Sequence, residues 1–139
     1  MGTAKRRKQA TIRVGWAADD RGFGIVYARR SRGGHVLRGT FHVERGTGLG
    51  DREVGYAALA TIAAKVHEHG VTQAIFDVDD AQLVADLTER RDLPVPLMLP
   101  YVRLRCAMNL FESYDLRFTS TESDLSARAL AEVSLHLAA

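Results

Sequence analysis

Apolar and polar positions alternate along residues 11–18, where Ile12, Val14 and Trp16 stand between Arg13, Gly15 and Ala17. A period of two predicts a strand with one buried face. Asp19-Asp20-Arg21-Gly22 has the chemistry of a tight turn, and FGIVYAR (residues 23–29) returns as a second strand. A second turn, Ser31-Arg32-Gly33-Gly34, leads to a third strand over residues 36–45. Three strands joined by short Gly-rich turns predict an antiparallel meander.

The period then changes. Val54, Ala58, Ile62 and Val66 recur every four residues, which predicts a helix from a cap at Asp51 to about His69, stopped by Gly70. Gly55 is unexpected in its first turn, since Gly costs ~1 kcal/mol against Ala in a helix. VTQAIFDVDDAQLV (residues 71–84) is the stretch around which the rest is organised. It reads as a buried strand that ends in Asp77, Asp79 and Asp80, with a short helix over residues 81–90 directly after it. Pro94, Pro96 and Pro100 predict irregular chain up to residue 100. A helix over residues 101–114 follows, with Leu104, Met108 and Phe111 or Leu110 inward, then a short strand over 116–119. Ser120 or Ser123 caps a last helix whose stripe is Leu125, Ala129, Val133 and Leu137.

Composition adds bounds. At 139 residues, 46% apolar and 26% charged, the chain reads as one globular domain over residues 11–139 behind a basic, flexible tail over 1–10. The net charge of +2 implies no strong partner by itself. The single cysteine, Cys106, excludes an internal disulfide and suits a reducing compartment. Its apolar surroundings predict a buried thiol. No apolar run approaches the ~18 residues of a membrane span, and the basic N-terminus lacks an apolar signal core. The expected location is cytoplasmic, with no membrane partner.

The candidate chemistry is limited. Lys5-Arg6-Arg7-Lys8 and the cluster Arg29, Arg30 and Arg32 suit contact with phosphates, which gives affinity without sequence preference. The five histidines show no metal-ligand spacing with a matching acid. GTGLG (residues 46–50) lacks the lysine and strand context of a phosphate loop. Trp16 is expected in the core. The three carboxylates closing the central strand are the strongest feature, because strand ends that meet a helix start often build sites in α/β sheets.

The order of three strands, helix, strand, two helices, strand and helix resembles the type 1 ribonuclease H domain over nearly the whole chain. GFGIVY, EVGYAALATIAA, DAQLV and TESDLSARALA carry the resemblance. They parallel a Gly-aromatic-Gly strand, Glu-Tyr-x-Ala-Leu, Asp-Ser-x-x-Val and Glu-x-Asn-x-x-Ala-Asp-x-Leu-Ala in that family. The resemblance implies a ribonuclease H-like α/β fold: a mixed five-stranded sheet, three antiparallel strands then two more, with helices on both faces. It also implies two magnesium ions held by about four carboxylates, which bind the attacking water and the leaving oxygen of a phosphodiester.

Carried over residue by residue, the resemblance puts the first-strand acid at Ala18 or Ala17, the helix acid at Gly55 and the last acid at Arg128. Only Asp80 keeps its carboxylate. A shifted set would be Asp19, Glu53, Asp80 and Asp124, although Glu53 lies ~200° around the helix from Gly55. A guanidinium at position 128 would neutralise the acids ending the central strand but would not activate water.

The expectation is therefore a catalytically degenerate domain that binds RNA–DNA hybrid or another nucleic-acid duplex. No cofactor is expected. One alternative is an active, magnesium-dependent ribonuclease H using the shifted acids. The other is a protein-interaction or dimer module reusing the fold, with an oligomer as its form.

Overall fold

The turn between the first two strands shows how local chemistry builds the sheet. Asp19 Oδ1 accepts the backbone N–H of Arg21 at 2.8 Å and of Phe23 at 3.0 Å. Gly22 takes a φ of +92°, and a Cβ there would lie 2.0 Å from the carbonyl oxygen of Val43, so the turn needs glycine twice over. This turn joins β1 (Ala10–Ala18) to β2 (Phe23–Arg30), and β3 (Val36–His42) completes the antiparallel meander.

The computed structural model describes residues 9–31, 34–46, 51–89, 92–119 and 124–138. Lys5, Arg6, Arg7, Lys8 and Arg32, and the expected caps Ser120 and Ser123, lie outside these residues. After the meander come α1 (Arg52–Glu68), β4 (Gln73–Val78), α2 (Ala81–Glu89), α3 (Val95–Met108), β5 (Ser113–Phe118) and α4 (Asp124–Ala138). The five strands form one sheet in the order β3-β2-β1-β4-β5. β4 runs parallel to both β1 and β5, so the sheet is mixed as expected.

Two cores follow from the strand alternation. Ile12, Val14, Val26, Phe76 and Val78 face one side and pack under α1, whose Val54, Ala58, Ile62 and Val66 form the expected stripe. On the other side Ile25 and Tyr27 meet Leu125, Ala129 and Val133 of α4. Gly15 permits this second contact: a Cβ there would lie 2.4 Å from the backbone nitrogen of Ser126.

Helix α3 departs from the expectation. It begins at Val95 instead of residue 101 and ends at Met108 instead of 114, with Pro100 inside it. Pro94 precedes it and Pro96 lies in its first turn, where the missing N–H forfeits no intrahelical bond. Pro100 forfeits one bond, while burial of Leu97, Leu104 and Met108 holds the helix against the rest of the core. The early end frees residues 113–118 for β5, longer than the expected strand. Cys106 lies on the outer side of α3 and is exposed, contrary to the expected buried thiol. No helix among the described residues is long and apolar enough to cross a membrane.

Candidate functional site

The corner where β4 passes into α2 holds the candidate site. Asp80 caps α2, its Oδ1 accepting the backbone N–H of Leu83 at 3.0 Å. Its other oxygen faces α1. A Cβ built on Gly55 would lie 3.1 Å from Asp80 Oδ2 and 3.2 Å from Cζ2 of Trp16. Gly55, Asp80 and the indole of Trp16 therefore meet at one point. Ala18 lies two residues beyond Trp16 on the same strand face, paired with Gly24 at the end of β1. At this corner the first strand supplies Trp16, a half-buried residue packed on the core edge.

A second set of interactions fixes the corner from behind. Asp86 of α2, only 1% exposed, accepts hydrogen bonds from Tyr56 Oη at 2.6 Å, Arg52 Nη2 at 2.8 Å and Gln82 Nε2 at 2.9 Å. Burial alone pushes the Asp86 pKa up. The hydrogen bonds from Tyr56, Arg52 and Gln82 more than offset that, and the group titrates below its ordinary value. For Tyr56, burial and then the hydrogen bond to Asp86 push the phenol well above its ordinary range. This network ties α2 to α1 and so sets Asp80 against Gly55.

The other acids lie elsewhere. Asp77 points to the opposite sheet face, where Arg117 Nε reaches its Oδ1 at 3.1 Å from the neighbouring strand. Asp79 is exposed. Asp19 is used in the β1–β2 turn. Glu53 lines a cavity of about 450 Å³ between α1, α3 and the end of β3. Asp124 takes a two-pronged contact from Arg29, with Nη1 at 3.1 Å and Nη2 at 3.0 Å. That hydrogen bond lowers the Asp124 pKa and raises that of Arg29. Asp19, Glu53, Asp80 and Asp124 are thus not brought together. Among the described residues no three His, Cys, Asp or Glu side chains form a group able to hold a metal ion.

Among the described residues Arg128 forms no ion pair with Asp77, Asp79 or Asp80. Its Cζ lies 4.5 Å from the ring centroid of Tyr27, on the α4 side of the sheet, away from Gly55 and Trp16. Tyr27 in turn donates to Glu132, which also accepts from Arg38. Arg38 first, then Tyr27, hold the Glu132 carboxyl below its ordinary pKa. Among the described residues the cation paired with a strand-end acid is Arg117, not Arg128. Cross-strand alternation contained the signal for it, since Arg117 lies directly beside Asp77 in parallel register. Of the basic cluster at the second turn, Arg29 is engaged by Asp124 and Arg30 is exposed.

Comparison with solved structures identifies the architecture. The chain superposes on RNase H1 of Halobacterium salinarum with a TM-score of 0.70 and 19% identity, covering 93% of this chain and 99% of the other. The fold is ribonuclease H-like. The N-terminal RNase H domain of a Mycobacterium tuberculosis protein matches with a TM-score of 0.67 and 15% identity, over 89% and 95% of the two chains. LC11-RNase H1, solved in complex with an RNA/DNA hybrid, matches with a TM-score of 0.59 and 9% identity, over 88% and 92%. No family model and no curated protein matches the sequence. At these identities the likeness concerns the RNase H-like fold.

Two magnesium ions need several oxygen ligands converging on one point. Among the described residues, Asp80 is the carboxylate that faces Gly55 and the indole at this corner of the RNase H-like sheet, and its other oxygen is committed to capping α2. Those donors do not fit the metal pair that the fold family implies.

Proposed function

We propose that the chain is a non-hydrolytic RNase H-like module that binds nucleic-acid duplex through its backbone. The observation that carries the first half is the contact of Trp16 and Asp80 with Gly55. Indole carbon and Asp80 Oδ2 both border the space in front of Gly55, and Gly55 offers no side chain to ligate an ion. The shifted acids, Asp19, Glu53 and Asp124, each serve a different part of the fold. The second half is supported by the likeness to LC11-RNase H1, which was solved with an RNA/DNA hybrid. Lys5, Arg6, Arg7, Lys8, Arg30 and Arg32 are the proposed phosphate contacts; Arg29 contributes less because Asp124 already holds it. Neither magnesium nor another cofactor takes part in this reading, and its setting is the cytoplasm.

Incubation with an RNA–DNA hybrid and magnesium or manganese tests the first half. No cleavage is expected. Metal-dependent cleavage abolished by Asp80→Asn would overturn the proposal in favour of an active ribonuclease H. Fluorescence anisotropy with labelled duplex tests the second. Binding should be weak, indifferent to sequence and steeply salt-dependent, with a shallower salt slope after removal of residues 1–8. No binding at low salt would refute it.

A further inference from the structure

Helix α3 turns an apolar ridge to solvent. Val95 is 83% exposed, Met98 50%, Leu99 57% and Val102 50%. Their spacing places all four on one side of the helix, opposite the buried Leu97, Leu104 and Met108. Alongside the ridge runs the cavity of about 450 Å³, walled by Leu99 and Pro100 of α3 on one side and by Phe41, Ala57 and Ala60 on the other. Arg103 stands on the helix side of this groove and Glu44 on the β3 side. Both are exposed, and neither forms an ion pair among the described residues.

We propose that this face binds a second copy of the chain about a two-fold axis, with the two α3 helices antiparallel. The surface is self-complementary, as a two-fold interface requires. Ridge and groove lie side by side, so one rotation sets each ridge into the other copy's groove. The same rotation brings Arg103 toward the partner's Glu44, and its own Glu44 toward the partner's Arg103. A phosphate backbone has no use for the apolar ridge, whereas the partner's apolar groove covers it. The four side chains expose a patch of a few hundred Å², the scale at which apolar patches mark interaction sites. That is less than the ~800 Å² per partner of a standard interface, so the dimer is weak and concentration-dependent.

Sedimentation equilibrium of the full chain, from roughly 1 μM to 1 mM, reads the proposal directly. The mass should rise from 15.3 kDa toward twice that value. Val95→Glu and Leu99→Glu should weaken association at least tenfold, with circular dichroism unchanged. Arg103→Glu should weaken it as well, and adding Glu44→Arg should restore it. A wild-type chain that stays monomeric throughout overturns the proposal. So does association that survives Val95→Glu, or a double charge reversal that fails to rescue. A monomeric chain that loses duplex binding on Val95→Glu would assign the face to nucleic acid instead.

Discussion

Replacing Asp86 by alanine tests the reasoning about the buried network that sets the candidate site. The carboxylate serves three donors of different exposure. Tyr56 Oη is buried, Gln82 is exposed, and Arg52 keeps 31% of its side-chain surface in solvent. In Asp86→Ala, water reaches Gln82 and much of Arg52, but the Tyr56 hydroxyl loses its partner in the interior. An unsatisfied buried hydroxyl costs about 1–3 kcal/mol. Breaking a buried ion pair costs about 3–5 kcal/mol, and the half-open guanidinium puts this case at the lower end. A loss of about 3 kcal/mol is expected, read by urea denaturation as a fall in midpoint at unchanged slope. Tyr56→Phe alone should cost about 1 kcal/mol. In the double variant the tyrosine's share is already gone, so the two losses should fall short of their sum by about 1–2 kcal/mol. Acidity gives a second reading. The folded-state pKa of Asp86 is depressed, so its contribution is present above the ordinary carboxylate range and is lost as pH falls through the folded value. The stability gap between wild type and Asp86→Asn should be constant at neutral pH and close in acid, below about pH 4. A loss under about 1 kcal/mol for Asp86→Ala, or strict additivity with Tyr56→Phe, would refute the reasoning.

Gly15→Ala should destabilise by about 1–3 kcal/mol, because its Cβ would meet the backbone of Ser126 and Leu125 and push α4 off the sheet. An unchanged melting temperature would show that α4 does not pack on Gly15. Gly55→Ala should change stability by less than about 1 kcal/mol, since improved helix propensity opposes the tight contacts with Asp80 and Trp16; thermal melting checks this. Arg128→Asp should cost no more than about 1 kcal/mol, the loss of an exposed cation over the Tyr27 ring. Added magnesium should not raise its melting temperature, and a metal-dependent rise would bring position 128 back to the strand-end carboxylates.

The periodicities by themselves determined most of the element order. Alternation at Ile12, Val14 and Trp16, the four-residue repeat from Val54 to Val66, and the turn residues around Gly22 are local signals. They survive because burial in the fold agrees with them. That position 55 offers no oxygen ligand was legible in the same way, since Gly55 has no side chain wherever it is placed. Three features waited on tertiary structure. Pro96 and Pro100 speak for irregular chain, yet burial of Leu97 and Leu104 outweighs one missing hydrogen bond and carries α3 through them. The residue that fills the corner, Trp16 and not only Ala18, depends on how far β1 slides along its neighbours, which no spacing along the chain states. The partners of the charges were also hidden. Arg117 reaches Asp77 because two strands distant in sequence lie side by side, and Arg128 reaches Tyr27 because α4 crosses the far face of the sheet. A side chain's direction on a strand or helix is local, but what it meets there is decided by the packing of elements that only the folded chain brings together.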